Sequence, residues 1–360
     1  MNGETKNEKI LVAMSGGVDS AAAALLLKNA GYDAAGVTMK LWSPCERVSD
    51  VESGISNQDI EDAKKIADAL SIPHYVCSLG DSFRSFVIDK FIDDYKNGAT
   101  PNPCVECNRY IKFGKLFDVA AELGYKKLAT GHYARIEKTS SGRFVIKKAL
   151  DASKDQSYVL WSLAQEKLAN TLLPLGDYTK AEIRELAASH AFVNAHKSDS
   201  QDICFIPNGD YAGFICRETC NTFPEGSFID PDGNILGRHS GIIKYTIGQR
   251  KGLGIALGKP MFVASKDPIA NTVTLCEDSA LYKKSLTASR ANFIACDTLT
   301  GPTRLAAKIR YKHDAASATV IQTDTDSFIL EFDEPQRAIA KGQSVVLYDG
   351  DTLVGGGIIN

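Results

Sequence analysis

Two kinds of residue in this chain invite chemistry: a turn of hydroxyls and glycines near the start, and thiols spaced unevenly further on. The turn is Ser15-Gly16-Gly17-Val18-Asp19-Ser20. Its glycines let backbone N–H groups close around an oxyanion, and a helix starting there adds a favourable dipole. Ser15 and Ser20 add hydroxyls, while Asp19 suits a Mg²⁺ ion or a helix cap. No lysine follows the second glycine, so this is not a Walker A loop, and the GxGxxG spacing of a dinucleotide site is absent. The thiols are Cys104 and Cys107, within Thr100-Pro101-Asn102-Pro103-Cys104-Val105-Glu106-Cys107-Asn108, and Cys204, within Ser200-Gln201-Asp202-Ile203-Cys204-Phe205. A C-x2-C pair serves half a zinc site, a redox couple or iron–sulfur ligation. Zinc needs a second pair, and Cys216 with Cys220 offers only C-x3-C on a helical stretch. Two prolines in four residues stiffen the chain and leave Cys104 and Cys107 on a turn. The other cysteines, Cys45, Cys77, Cys216, Cys220, Cys276 and Cys296, read as small buried hydrophobes.

The elements that position these groups follow from periodicity. Lys9–Met14 is a short apolar strand, and Ala21–Lys28 a helix closed at Gly31. Asp33–Met39 is strand-like; Ile60, Ala63, Ala67 and Leu70 recur at helical spacing until Pro73. His74–Cys77 is a third strand, Phe83–Tyr95 a helix ended by Gly98, Phe113–Leu123 another closed by Gly124, and Lys127–Thr130 a strand. Alternating strands and helices predict a mostly parallel sheet covered on both faces. Its ligands belong at the carboxyl ends of the strands, the edge that carries Ser15–Ser20, Met39 and Gly131-His132. Ala181–Ala188 is a further helix. Beyond about residue 210 helical periods fade, and turn pairs such as Asp232-Gly233 and Asp349-Gly350 separate short strands. Ala318–Gln322, Phe328–Phe332, Ser344–Tyr348 and Leu353–Ile359 suit a small barrel.

A chain of 360 residues holds two or three domains. No apolar run reaches the ~18–20 residues of a membrane span. The polar N-terminus has no signal-peptide core, and nine cysteines, an odd number, do not form a secreted disulfide framework. A cytoplasmic protein with a few busy thiols is the expectation. A formal net charge of −3 argues against a broadly basic nucleic-acid surface, though not against local patches.

The first loop resembles the pyrophosphatase loop of enzymes that adenylate a substrate with ATP. That loop, the two cysteine segments, Ile111-Lys112-Phe113-Gly114, Thr130-Gly131-His132-Tyr133, Lys154-Asp155-Gln156-Ser157-Tyr158 and Tyr245–Gly254 together closely resemble the tRNA-specific 2-thiouridylase family over essentially the whole chain. The resemblance implies an α/β fold: a Rossmann-like parallel sheet of the ATP pyrophosphatase (adenine nucleotide alpha hydrolase-like) type over 1–208, a small central tRNA-contacting domain over 209–284 and a C-terminal β-barrel over 285–360. It implies a sulfurtransferase that thiolates C2 of the wobble uridine in tRNA: ATP with Mg²⁺ adenylates the C2 oxygen, pyrophosphate leaves, and a cysteine persulfide sulfur then displaces AMP. ATP would sit on Ala13, Met14, Ser15, Gly16, Gly17, Val18, Asp19, Ser20, Met39 and Gly131. Cys204 would carry the persulfide, and Cys107 would attack it, leaving a transient Cys107–Cys204 disulfide.

Some family members carry Asp at the position of Cys104. A thiol with a reference pKa of ~8.5, against ~3.9 for Asp, is a poor substitute as a general acid. The change also leaves Cys104, Cys107 and Cys204 as an alternative set of [4Fe–4S] ligands, a route ranked below the persulfide one. Asn102, Pro103, Cys104 and His132 would line the pocket of the flipped-out base, and Lys154, Asp155, Gln156, Arg310, Tyr311 and Gln343 would touch tRNA. Lys308, Arg310 and Lys312, on one strand, would make a basic stripe. The expected partners are the Lys, Glu and Gln tRNAs and a cysteine desulfurase or sulfur-relay carrier, with no membrane. Two other readings compete. One is an ATP pyrophosphatase that activates a small molecule for amidation. The other is a non-enzymatic nucleic-acid module with zinc on Cys104, Cys107, Cys216 and Cys220.

Overall fold

The computed structural model describes residues 7–41, 57–190, 192, 194, 203–206 and 208–360; Cys45 and Ser200-Gln201-Asp202 lie outside them. The chain divides into two compact units. One comprises Met1–Val87, Cys104–Pro207 and Gly350–Val354; the other comprises Ile88–Pro103, Asn208–Asp349 and Gly355–Asn360.

The first unit is built on five strands in the order β3-β2-β1-β4-β7: β1 Lys9–Ala13, β2 Asp33–Lys40, β3 His74–Ser78, β4 Lys127–Ala129 and β7 Thr171–Leu172. Every pairing in it is parallel. β2 is buried at six consecutive positions, which only a strand covered on both faces can be. Helix α1, Val18–Asn29, packs closely on the sheet because Ala21, Ala22, Ala23 and Ala24 are all fully buried and hold it at no distance. Gly31, at φ +91°, ends the turn after it. Helix α2, Asn57–Ala69, buries Ala63, Ile66 and Ala67. The two-residue β7 escaped the sequence reading because so short a strand has no period.

The helices between β3 and β4 differ from expectation in winding. The single helix expected over Phe83–Tyr95 is Gly80–Phe83, a π-helical turn Arg84–Ile88 and an α-helix Asp89–Lys96. Cys104 and Cys107 are not on a turn. Pro103 opens a helical segment, Pro103–Glu106, in keeping with its preset φ at a first helical position. Cys107 begins a π-helix, Cys107–Lys115, which passes into α-helix at Leu116–Glu122. A helix-period count cannot separate α from π winding, because both leave an apolar stripe. The hairpin β5 Ala134–Lys138 and β6 Phe144–Lys148 completes this unit, with Thr352 and Leu353 paired to β6.

The second unit holds a four-stranded sheet, β10-β11-β8-β9, of β8 Gly226–Ile229, β9 Ile235–His239, β10 Phe262–Asp267 and β11 Thr272–Cys276. It also holds the barrel β12 Tyr282–Phe293, β13 Thr303–Lys308, β14 Ala316–Asp324, β15 Ser327–Arg337, β16 Ser344–Asp349 and, from Gly355 onward, β17 Thr352–Ile359. Its six strands run in the order β12-β15-β14-β13-β16-β17, and the antiparallel pairing of β12 with β17 closes it, so no edge is left bare. The basic stripe does not form: β13 stops at Lys308, and the chain turns so that His313 N–H donates to the Arg310 carbonyl at 3.1 Å. Of the cysteines taken for buried hydrophobes, Cys276 is buried, whereas Cys77, Cys216 and Cys296 are half-buried and Cys220 is exposed. Cys220 sits at φ +50° as the left-handed cap of the helix Tyr211–Thr219, a place solvent reaches. No helix among the described residues is long and apolar enough to cross a membrane.

Candidate active site

The loop between β1 and α1 lies at the carboxyl edge of the sheet. Gly16 has φ +70°, where a β-carbon would also strike the backbone of Asp59 on α2. Gly17 is the N-cap of α1 and no side chain caps it, which corrects the capping role offered to Asp19. The Ser20 hydroxyl instead donates to Gly17 O at 3.0 Å and accepts from Ser15 N–H at 3.1 Å. Among the described residues the N–H groups of Gly16, Gly17 and Val18 have no acceptor, so they are open to an anion.

The cation this loop lacks in sequence arrives from far along the chain. Lys180 opens the helix Lys180–Ser189, which a Thr179–Glu182 capping box fixes in place. Its ammonium donates to both carboxylate oxygens of Asp19, at 2.7 and 2.8 Å, and its side chain is only 8% exposed. Tyr133 OH donates to the same carboxylate at 2.8 Å. Asp19, which the sequence offers as a Mg²⁺ ligand, is thus bonded to Lys180 and Tyr133. Asn194 adds a donated bond of 2.9 Å to Gly16 O. Lys180, Tyr133 and Asn194 were missed; the T-x-x-E box ahead of Lys180 was the one local signal.

Gly131 lies against this loop. A β-carbon there would sit 2.9 Å from Asp19 C and Ser20 N, and both are backbone atoms that cannot yield. Gly131→Ala is expected to cost about 1–3 kcal/mol through overpacking. Thermal unfolding together with ATP titration checks this: the melting point should drop and nucleotide affinity should fall with it. Met39 is buried near the end of β2, and Ala13 and Met14 end β1 and follow it.

His132, next to Gly131, is buried and shares a 2.7 Å hydrogen bond between Nδ1 and Thr130 Oγ1. Burial first, and Lys112 second, push its pKa well below the usual imidazole value, so it is neutral. The same Lys112 acts on all three thiols of interest. Hydrogen bonds in a π-helix span i to i+5, so the wide winding stacks Lys112 one loop above Cys107. An α-helix would turn it away. Cys104, Cys107 and Cys204 are within electrostatic reach of one another. Burial pushes Cys107 up to about 12 and Cys204 up to about 11, and raises Cys104, while Lys112 pulls each down. Cys107 is buried, whereas Cys104 and Cys204 present surface to solvent. Cys204 is held by its neighbours: Phe205 and Ile206 are 2% exposed, and Phe205 packs edge-on against Phe83 at 5.7 Å.

Among the described residues no group of three or more His, Cys, Asp or Glu is arranged to hold a metal ion. Cys104, Cys107 and Cys204 as placed are not such a group, so they do not fit a [4Fe–4S] cage.

The expected RNA contacts are more engaged than the sequence suggested. Asp155 accepts from Ala149 N–H, Ser157 N–H and Ser157 OH, and Gln156 Oε1 accepts from Tyr133 N–H at 2.9 Å. Gln156, whose N–H also donates to Tyr133 O at 2.8 Å, knits the loop to the tyrosine beside Asp19. Lys154 is half-buried in the same loop. In the second unit Arg310 donates to Arg337 O at 3.2 Å, Tyr311 is exposed, and Gln343 gives its amide nitrogen to Thr100 O at 2.8 Å. Asn102 is half-buried and Pro103 buried.

The family model of the tRNA methyl transferase HUP domain matches residues 8–208, that of the tRNA methyl transferase PRC-barrel domain residues 213–277, and that of the aminomethyltransferase beta-barrel domain residues 283–359. The tRNA-specific 2-thiouridylase MnmA of Clostridioides difficile (strain 630) is 50% identical over 355 residues, covering 98% of either chain. Its counterpart in Clostridium acetobutylicum is 49% identical over 354 residues, covering 98% of this chain and 99% of that one. The counterpart in Treponema denticola is 47% identical over 360 residues, 98% of this chain and 97% of its own. Identity near one half, sustained from end to end, carries the loop, the cysteine pair and the barrel together: the chain belongs to the tRNA-specific 2-thiouridylase family.

Proposed function

We propose that this protein is an ATP-dependent sulfurtransferase that thiolates C2 of the wobble uridine of tRNA. The observation that supports this reading is that Cys104, Cys107 and Cys204 all lie within electrostatic range of Lys112, which also acts on His132, one residue from the Gly131 that lies against the anion loop. A carbonyl oxygen is a poor leaving group. The C2 oxygen of the uracil attacks the α-phosphate of ATP, pyrophosphate leaves, and the oxygen becomes part of a good leaving group. The N–H groups of Gly16, Gly17 and Val18 and the ammonium of Lys180 hold the phosphates; Mg²⁺ enters with the nucleotide as its counter-ion.

The terminal sulfur of a persulfide on Cys204 then bonds to C2, and the C–O bond to AMP breaks. The Cys107 thiolate attacks the inner sulfur of Cys204, so that the S–S bond to the transferred sulfur is lost and a Cys107–Cys204 disulfide forms. An external dithiol supplies the two electrons that reset it. The proton of Cys107 must leave first, and Lys112 is the cation placed to favour that. Neutral His132 meets the flipped-out base, and Asn102 and Pro103 are RNA contacts. Lys154, Arg310, Tyr311 and the free oxygen of Gln343 meet the RNA, across working modules 1–208, 209–284 and 285–360. The tRNAs for Lys, Glu and Gln are the substrates, and a cysteine desulfurase or relay carrier loads Cys204. Amidation of a small molecule would leave Cys107 and Cys204 without work.

Mass spectrometry of nucleosides from tRNA incubated with the protein, ATP and a desulfurase with cysteine tests this. 2-Thiouridine should appear only with ATP and release pyrophosphate in step; pyrophosphate release that ignores tRNA would refute it.

A further inference from the structure

A chain of hydrogen bonds crosses the parallel sheet of the first unit and ends at the anion loop. β2 reads Asp33-Ala34-Ala35-Gly36-Val37-Thr38-Met39-Lys40, and Thr38 carries the one hydroxyl in it, fully buried. Its Oγ1 donates to Met14 O at 2.8 Å and lies 2.9 Å from Nε2 of His74 on β3. The hydroxyl has a single proton, and the Met14 carbonyl can only accept. His74 Nε2 therefore bears a hydrogen and donates it to Thr38, which holds the Thr38 proton turned towards Met14.

Register brings the three together. Met14 follows β1, whose last residue, Ala13, pairs with Val37, and Met14 N–H donates to Val37 O at 2.8 Å. His74 pairs with Gly36, two positions before Thr38 and so on the same face of the sheet. Gly36 leaves the room, for a β-carbon there would strike the Met14 sulfur and stand 3.1 Å from His74 Cδ2. Met14 and Ser15 share a peptide plane. Thr38 holds its carbonyl side, while its N–H side donates to Ser20 Oγ at 3.1 Å, and Ser20 Oγ donates on to Gly17 O at 3.0 Å. A planar unit pinned at both ends has no freedom to turn. From it hang Gly16, Gly17 and Val18, whose N–H groups are open to an anion. A valine would fill the place of Thr38 with no hydroxyl to desolvate, so packing alone does not call for threonine. Gripping the Met14 carbonyl does.

We infer that Thr38 and His74 are positioning residues for the nucleotide. Thr38 fixes the peptide plane that opens the anion loop, and His74 fixes the hydroxyl of Thr38. This rests on the reading of that loop as the ATP site. Neither residue is assigned a contact with ATP.

The test compares Thr38→Val, Thr38→Ser, His74→Phe and His74→Gln with the parent protein. Valine and phenylalanine keep the volume and lose the donor; serine and glutamine keep a donor. Three readouts are taken: ATP affinity by calorimetry, KM for ATP and for tRNA in pyrophosphate release, and hydrogen exchange of the Ser15 amide. Thr38→Val is expected to weaken ATP binding about tenfold and His74→Phe about threefold, because each strands a buried polar partner. KM for ATP should rise in step while KM for tRNA stays parental, and Ser15 N–H should exchange faster. Thr38→Ser and His74→Gln should recover most of each loss. Parental ATP affinity in folded Thr38→Val or His74→Phe, equal losses in Thr38→Ser and Thr38→Val, or parental Ser15 exchange would overturn the proposal. His74 is only half-buried, so His74→Phe decides the matter if Thr38→Val does not fold. If the parent binds no ATP, the ATP reading fails by itself, and Ser15 exchange still decides whether Thr38 and His74 hold the loop.

Discussion

Cys204→Ser is expected to stop sulfur transfer to tRNA, a fall of about a thousandfold or more, because the nucleophile itself is removed. A hydroxyl has nearly the shape of a thiol but cannot carry a sulfane sulfur. The fold should not notice: Cys204 reaches solvent, and its segment is anchored by Phe205 and Ile206, which the change leaves alone. Pyrophosphate release dependent on tRNA should persist, because the anion loop and Lys180 are intact. The measurement pairs 2-thiouridine yield with pyrophosphate release and a melting curve. Full thiolation by the variant would remove Cys204 from the chemistry. In the parent protein, alkylation of Cys204 should climb about tenfold per pH unit from pH 8 towards 10, since its thiol ionises only near 11.

Lys180→Met is expected to lower the adenylation rate about a hundredfold, the loss seen when one preorganised charge donor is taken from a developing phosphate charge. Methionine fills the same buried channel, so packing is largely kept. Asp19 is left without its ammonium but keeps the Tyr133 hydroxyl and partial access to water. Asp19→Ala is the harsher change, because it strands an ammonium that is only 8% exposed, and it should lower stability as well as activity. Tightly bound ATP and an unaltered adenylation rate in a folded Lys180→Met protein would assign the phosphate charge elsewhere.

How much of this could be read from the chain depended on whether the determinant was local. Ser15–Ser20 announced itself because glycines at an anion turn are demanded by backbone geometry, and the parallel sheet followed from short, mostly apolar strands alternating with helical patterns. Lys180 could not be found that way. Its partner Asp19 is 161 residues away, and no spacing rule joins them. Lys112 was quoted within a motif yet given no task, because only π winding stacks it over Cys107, and apolar periodicity does not distinguish the two helices. The RNA candidates on polar loops were overstated for a related reason. Asp155, Gln156 and Gln343 are polar in sequence, and only the fold reveals that backbone groups already engage them.

The alkaline ionisation of the three cysteines has a consequence for durability. Peroxide attacks thiolates, and climbs from sulfenic to sulfinic acid wherever a thiolate is both exposed and persistent. Cys104 and Cys204 present surface to solvent, but desolvation of their sulfurs by the surrounding chain keeps them, like Cys107, protonated at neutral pH. The idle enzyme thus holds its sulfur nucleophiles in a form that oxidants pass over.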